Sequence, residues 1–383
     1  MTPLVKKLSQ YIFFLSVIIH FGACPEEDAH CRLTLEPPIF NGTYGSEEEE
    51  VFNLFKPHSD VPLPLAIVIH QGAFITGSKD DLLLRKMSDD LARCGVAAAP
   101  INYRLLTPNN LGNGAVRTVQ AVGDVFEGEN TIRKEYYHAI QDVRAAIRHF
   151  RKNAVSYNID PNQIYLIGYS TGAMLALHAA FVDDYEAQNI YFGKVIVENQ
   201  GNLDARGDAK NSDVSATVKG VLSINGAVFD PNFITDQDTT PLLLAYGTND
   251  KMILPGRGKP FEKYIKDTKV DLPSFLFEMG ITEKKDRRNT ESKTYNGVKL
   301  SVLIPNEVPA LLRNIFTSEL HGSKIIYDLR KGKRTKTFIV EGGGHNFLLD
   351  EDGMTTKDYA KLHNEIIKFI NPLTPTSPRR VRH

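Results

Sequence analysis

The chain has 383 residues, 42% apolar and 24% charged, the balance of an ordinary globular protein and not of a disordered, collagen-like or coiled-coil chain. Lysine plus arginine number 45 against 46 aspartate plus glutamate, a net charge of −1, so no basic excess exists to neutralise a phosphate backbone and nucleic acid is not expected as a partner. Cys24, Cys31 and Cys94 form no C-x-x-C pair and no zinc spacing, so no metal site is expected.

Residues 1–23 read as a secretory signal peptide: Lys6 and Lys7, an apolar run from Tyr11 to Phe21, then the small pair Gly22 and Ala23. The apolar run is shorter than the roughly 20 residues that span a bilayer as a helix. Phe21-Gly22-Ala23-Cys24 resembles a bacterial lipoprotein signal, in which the cysteine is lipidated after cleavage. Lipid anchoring, plain secretion and an uncleaved segment all stay open, so the expected location is secreted or cell envelope, with membrane contact only through such an anchor. A local Cys24–Cys31 disulfide is the simplest use of two cysteines in an oxidising compartment. Residues 24–50 read as a linker, within which Asn41-Gly42-Thr43 is a glycosylation acceptor in a eukaryotic host.

From there, short apolar runs alternate with helical patterns. Leu65–Ile69, Val96–Ile101, Ile164–Ile167, Val218–Ile224, Leu242–Ala245 and Thr337–Val340 read as strands buried on both faces. Leu82–Ala92, Ile132–Lys152, Met174–Val182, Ser323–Leu329 and Tyr359–Ile370 read as helices between them. The alternation predicts an α/β domain over residues 51–371, with a mostly parallel central sheet flanked by helices. Leu106–Thr131, Asp183–Asp213 and Gly256–Thr317 interrupt the rhythm as insertions, the last a candidate cap or lid over 256–317. Residues 372–383 form a basic tail that reads as frayed.

Gly168-Tyr169-Ser170-Thr171-Gly172 follows one strand and precedes one helix. That is the context of a nucleophile elbow, where the serine is held in a strained turn and only glycine fits two positions either side. G-x-S-x-G alone arises by composition in roughly one chain in eight of this length, so the flanking elements carry the reading. A serine hydroxyl is a poor nucleophile unless a base, itself oriented by a carboxylate, lies within hydrogen-bond reach. Asp250 ends Tyr246-Gly247-Thr248-Asn249-Asp250 just past a strand, and His345 follows the glycines of Glu341-Gly342-Gly343-Gly344 past the last one. Loops at the carboxyl ends of strands are where such sheets collect binding groups. Asp230 is the rival acid; His321 and His363, both within helical patterns, are rival bases. His70-Gln71-Gly72-Ala73-Phe74 after the first buried strand supplies an oxyanion-hole loop, with the amides of Gly72, Ala73 and Thr171 as donors.

These motifs, with Gly77, Asn102-Tyr103-Arg104-Leu105, Asp142–Ile147 and Asp160-Pro161, are colinear from about Phe52 to Ile370 with the α/β-hydrolase fold. Within it the chain resembles secreted carboxylesterases of the hormone-sensitive-lipase-like and feruloyl-esterase-like groups. The resemblance implies a serine carboxylic ester hydrolase working through an acyl-enzyme, with Ser170, Asp250 and His345 as the triad, no cofactor, and a small-molecule ester as substrate. Phe74, Tyr169, Phe275 and Phe316 are candidate substrate contacts. Gln71 and Ala73 depart from the family's glycines and could narrow the hole. A prolyl-oligopeptidase-like peptidase is the alternative, although the residues before the first strand cannot hold the propeller such enzymes usually carry. A hydrolase-like binding protein without catalysis is the other.

Overall fold

The computed structural model describes residues 31–74, 77–105, 129–210, 213–267, 294–295, 298–299, 319–350 and 353–370. Its frame is an eight-stranded sheet built from β1 (Ile39–Thr43), β2 (Val51–Leu54), β3 (Leu63–Ile69), β4 (Ala97–Ile101), β5 (Ile159–Tyr169), β6 (Gly220–Ile224), β8 (Leu242–Gly247) and β13 (Thr335–Val340), in the order β1-β2-β4-β3-β5-β6-β8-β13. β1 pairs antiparallel with β2 and β2 with β4; the remaining pairs are parallel. A small antiparallel sheet joins β7 (Ala227–Val228), β12 (Leu320–Gly322) and β9 (Arg257–Gly258). A two-stranded pair, β10 (Thr294–Tyr295) with β11 (Val298–Lys299), falls inside the third insertion.

Strand periodicity divides the core in two. Leu65, Ile67 and Ile69 of β3 face one hydrophobic cluster and Ala66 and Val68 the other, as alternate residues must. The first face is covered by α2 (Glu129–Lys152) and α3 (Thr171–Phe181), the second by α1 (Leu82–Arg93) and α7 (Lys357–Ile370). α1 buries Leu83, Leu84, Met87, Leu91 and Ala92, a stripe at helical spacing that seats it on the sheet. Its outer edge is tied to α7 where the Tyr359 hydroxyl donates to Asp90 Oδ2 at 2.6 Å.

The six expected strands and five expected helices all occur, with ends displaced by a few residues. Two expectations fail at the N-terminal side. The 24–50 stretch is not all linker, because Ile39–Thr43 forms the sheet's edge strand β1, whose register with β2 shifts between Ile39 and Gly42. Asn41 sits exposed in that irregularity with φ 56°, a conformation asparagine tolerates better than most residues. Cys31 and Cys94 are each disulfide-bonded; with Cys24 the third cysteine of the chain, this rules out the expected Cys24–Cys31 pair.

The second insertion is strapped to α2 by charge. Asp204 accepts from Arg144 Nε at 2.8 Å and from the fully buried Arg148, while Asp208 meets His149 Nδ1 at 2.8 Å. Arg148 alone would be a costly buried charge; paired on this strap it fixes residues 201–210 along the helix. Of the third insertion, only its start and the β10–β11 pair are described. Its start folds back as α5 (Glu262–Asp267), with Phe261 N–H donating to Met252 O at 2.7 Å and Tyr264 N–H to Lys251 O at 3.1 Å. Phe275 and Phe316 lie outside the described residues, as do residues 106–128 of the first insertion.

Candidate active site

Ser170 stands between the last residue of β5 and the first of α3 with φ 54° and ψ −120°, a region that non-glycine residues enter at a cost of about 1–3 kcal/mol. The two glycines of the motif make the turn possible. A Cβ on Gly168 would lie 2.2 Å from the carbonyl oxygen of Gly172, and one on Gly172 would lie 2.2 Å from that of Ile69, distances no side chain tolerates. The strain is sustained from outside: Ser170 N–H donates to Ile224 O at 2.8 Å, which bolts the elbow to the end of β6.

Ser170 Oγ lies 2.8 Å from His345 Nε2, and His345 Nδ1 lies 2.7 Å from Asp250 Oδ2. The three side chains come from the ends of β5, β13 and β8, in the chain order expected, and each is at most 2% exposed. The geometry assigns the protons. A carboxylate can only accept, so Nδ1 carries the hydrogen and Nε2 presents its lone pair to the serine hydroxyl. Asp250 is itself fixed, its Oδ1 accepting from the amides of Met252 at 2.8 Å and Ile253 at 3.0 Å.

The rivals stand elsewhere. Asp230 Oδ1 caps the short turn Pro231–Phe233 through Asn232 N–H at 2.9 Å. His321 lies in β12 and not in a helix, and His363 stacks on Tyr359 along α7. Tyr169 is not placed as a substrate contact. It is buried, its ring 5.7 Å from that of His345, and its hydroxyl donates to the His345 carbonyl at 2.8 Å. Sequence reasoning missed Asn225, the residue directly after the expected strand Val218–Ile224: its Nδ2 donates to the same carbonyl at 2.6 Å.

The oxyanion-loop candidates adjoin this group. Thr171 opens α3, and the first amides of a helix have no carbonyl one turn back to bond. Gly72 (φ 130°), Ala73 (φ 52°) and Phe74 (φ 63°) run in left-handed conformations. Gln71 and Ala73, expected to crowd the hole, are fully buried, with Ala73 packed in the main core. Phe74 is also buried, edge-on to Tyr136 at 4.9 Å. His70 anchors the loop: its ring stacks 4.2 Å from Tyr103 and its Nδ1 donates to Gln71 O at 2.6 Å. Gly77 is obligatory beside it, since a Cβ there would meet the ring at 2.2 Å.

Burial pushes the imidazoles of His70 and His178 down from 6.5 to about 4, and pushes the Asp81 carboxyl, four residues beyond Gly77, up from 3.8 to about 8. From pH 4 to 6.5 the unfolded chain binds two protons more at the histidines and one fewer at Asp81. For these three groups the net is one proton more on the unfolded chain, so their combined contribution to stability rises with pH over that window. From 6.5 to 8 only the Asp81 difference persists, and the sign reverses. We expect urea midpoints to decline over that upper window and Asp81→Asn to remove the decline. An unchanged decline in the variant would contradict the assignment.

Sheet order, elbow and hydrogen-bonded relay together define the class: the chain has the α/β-hydrolase fold. Residues 130–265 match the BD-FAE family. In sequence the chain is similar to Gut esterase 1 of Caenorhabditis elegans, 28% identical over 131 residues, covering 34% of this chain and 20% of that protein. It is similar also to Lipase 1 of Geotrichum candidum, 27% identical over 169 residues, covering 42% and 27%. The chain thus spans a quarter or so of the length of these relatives. In fold it is similar to a thermophilic esterase of the planctomycete Thermogutta terrifontis, with a TM-score of 0.50 at 15% identity, covering 88% of this chain and 94% of that one. The propionate-bound form of that esterase gives 0.50 at 15%, covering 89% and 97%. Among the described residues no group of three or more His, Cys, Asp or Glu side chains is arranged to hold a metal ion.

Proposed function

We propose that the protein is a serine esterase that hydrolyses small carboxylic esters through an acyl-enzyme. The observation that carries this reading is the relay from Ser170 Oγ through His345 to Asp250, at 2.8 and 2.7 Å. His345 Nε2 takes the hydroxyl proton as Ser170 Oγ attacks the ester carbonyl, and Asp250 stabilises the imidazolium formed. The oxygen that gains charge is received by the amide of Thr171 and by those of Gly72 and Ala73. The imidazolium then protonates the departing alcohol, and water enters by the same route to release the acid. The similarity to an esterase and a lipase supports carboxylic esters over amides. The test is hydrolysis of p-nitrophenyl acetate and its longer acyl homologues by the purified protein; a protein that cleaves peptides but none of these esters would overturn the choice of substrate.

The insertion over 256–317 is proposed as the cap that sets acyl preference. Support comes from α5, whose entry is bonded to Lys251 and Met252, directly after Asp250. Phe275→Ala and Phe316→Ala should each change the ranking of short against long acyl esters by about tenfold, the weight of one to two methylenes in an apolar pocket. An unchanged ranking with a lowered Tm would make the insertion packing only. A secreted or envelope location is proposed on the apolar leader and on the disulfide-bonded Cys31 and Cys94, since such bonds persist in oxidising compartments. The mass of the mature N-terminus separates a lipidated Cys24 from plain secretion.

A further inference from the structure

Three loops must stay in register for the relay to work: the elbow after β5, the acid loop after β8 and the histidine loop after β13. Asn225, the first residue past β6, bonds to the last two, and its neighbour Ile224 bonds to the first. Its Nδ2 donates to the carbonyl of His345 at 2.6 Å and its Oδ1 accepts from the amide of Gly247 at 3.2 Å. Its backbone N–H donates to Ala245 O at 2.8 Å, and the carbonyl beside it, that of Ile224, receives Ser170 N–H at 2.8 Å. The side chain is 2% exposed, so these bonds do not compete with water. The residue has φ 49°, and asparagine is among the few side chains that accept the left-handed region. Its planar amide is also the smallest side chain that offers one donor and one acceptor side by side.

We propose that Asn225 is a positioning residue for the triad, its one amide locking the His345 peptide to the Asp250 loop above the elbow. A carbonyl oxygen has two lone pairs, and here both meet donors: Asn225 Nδ2 and the Tyr169 hydroxyl, at 2.8 Å. The bonds from Thr248 N–H to Val340 O at 3.0 Å and from Asn249 N–H to Gly343 O at 2.9 Å hold the approach to the histidine loop. Asn225 and Tyr169 hold the peptide of His345 itself. Without the amide, the imidazole is free to pivot on Cα and its alignment with Ser170 Oγ becomes one conformation among several. Misplacement by about 1 Å costs on the order of 10² in rate.

The inference rests on the esterase reading, and its test includes a signal that needs no turnover. Asn225→Gly deletes both side-chain bonds while accepting the backbone conformation. Asn225→Asp, the second variant should the first fail to fold, keeps the acceptor for Gly247 and replaces the donor with an oxygen facing the His345 carbonyl. Two quantities are measured: kcat and KM for p-nitrophenyl acetate, and the downfield proton resonance of the His345 Nδ1–H bonded to Asp250. The expected result is a kcat reduced on the order of 10² with KM within about threefold, together with a broadened or lost resonance at unchanged overall fold. Tyr169→Phe, which removes one donor of two, should fall between this and the parent protein. A kcat and a resonance both unchanged overturn the proposal. A reduced kcat with the resonance intact does so too, because the effect would not pass through the imidazole. A parent protein that shows the resonance but hydrolyses no ester sinks the esterase reading, while the change of resonance in the variant still decides the role of Asn225.

Discussion

Ser170→Ala is expected to lower kcat for ester hydrolysis on the order of 10⁶ and to leave Tm nearly unchanged. Everything that shapes the elbow is independent of the hydroxyl. The clash that confines positions 168 and 172 to glycine, the bond from the residue 170 amide to Ile224 O and the start of α3 all persist when Oγ is removed. Alanine adopts the same backbone conformation at the cost serine already bears. What disappears is the atom that forms the acyl bond, and the relay behind it then has nothing to activate. Residual turnover should be the slow general catalysis of the oxyanion loop and binding surface alone. A purified variant that keeps a tenth of the parent rate would place the nucleophile elsewhere.

Asp250→Asn is expected to cost on the order of 10⁴ in kcat with the relay geometrically intact. The reason lies in how Asp250 is held. Its Oδ1 accepts from the Met252 and Ile253 amides, so an asparagine must keep its oxygen there and turn its NH₂ toward His345. Nδ1 then becomes an acceptor, the ring proton moves to Nε2, and the base offers the serine hydroxyl a hydrogen in place of a lone pair. Asp230→Asn is the control: it loosens a cap on Pro231–Phe233 and should leave kcat within a factor of a few. The opposite ranking of the two variants would mean that His345 draws on a different carboxylate.

The central sheet and the relay could be read in the sequence because both are written locally. Leu65–Ile69 and Leu242–Ala245 are continuous apolar runs, as strands covered on both faces must be. Ser170, Asp250 and His345 each sit immediately past such a run, with glycines where the turn is tight. The edge strand β1 carried no such signal, since Ile39–Thr43 is short, mostly exposed and broken by Asn41 and Gly42. The Cys24–Cys31 pair failed because nearness in sequence says little about which thiols the fold brings together. The bonds of Asn225 and Tyr169 to the histidine loop escaped notice for a related reason. Their roles depend on the carbonyl of a residue 120 and 176 positions away, and no local pattern announces a hydrogen bond to a distant peptide. Tyr169, a candidate substrate contact in the sequence, is instead buried in the second core cluster with its hydroxyl on the His345 carbonyl.

The most direct test of the account is to treat the purified protein with a fluorophosphonate probe and locate the adduct by peptide mass mapping. Such a probe phosphonylates a serine only when a base has activated it and leaves an ordinary surface hydroxyl untouched. The account predicts one adduct per chain, on Ser170, absent in Ser170→Ala and formed far more slowly in Asp250→Asn. An unmodified protein, or an adduct on another serine, would contradict it.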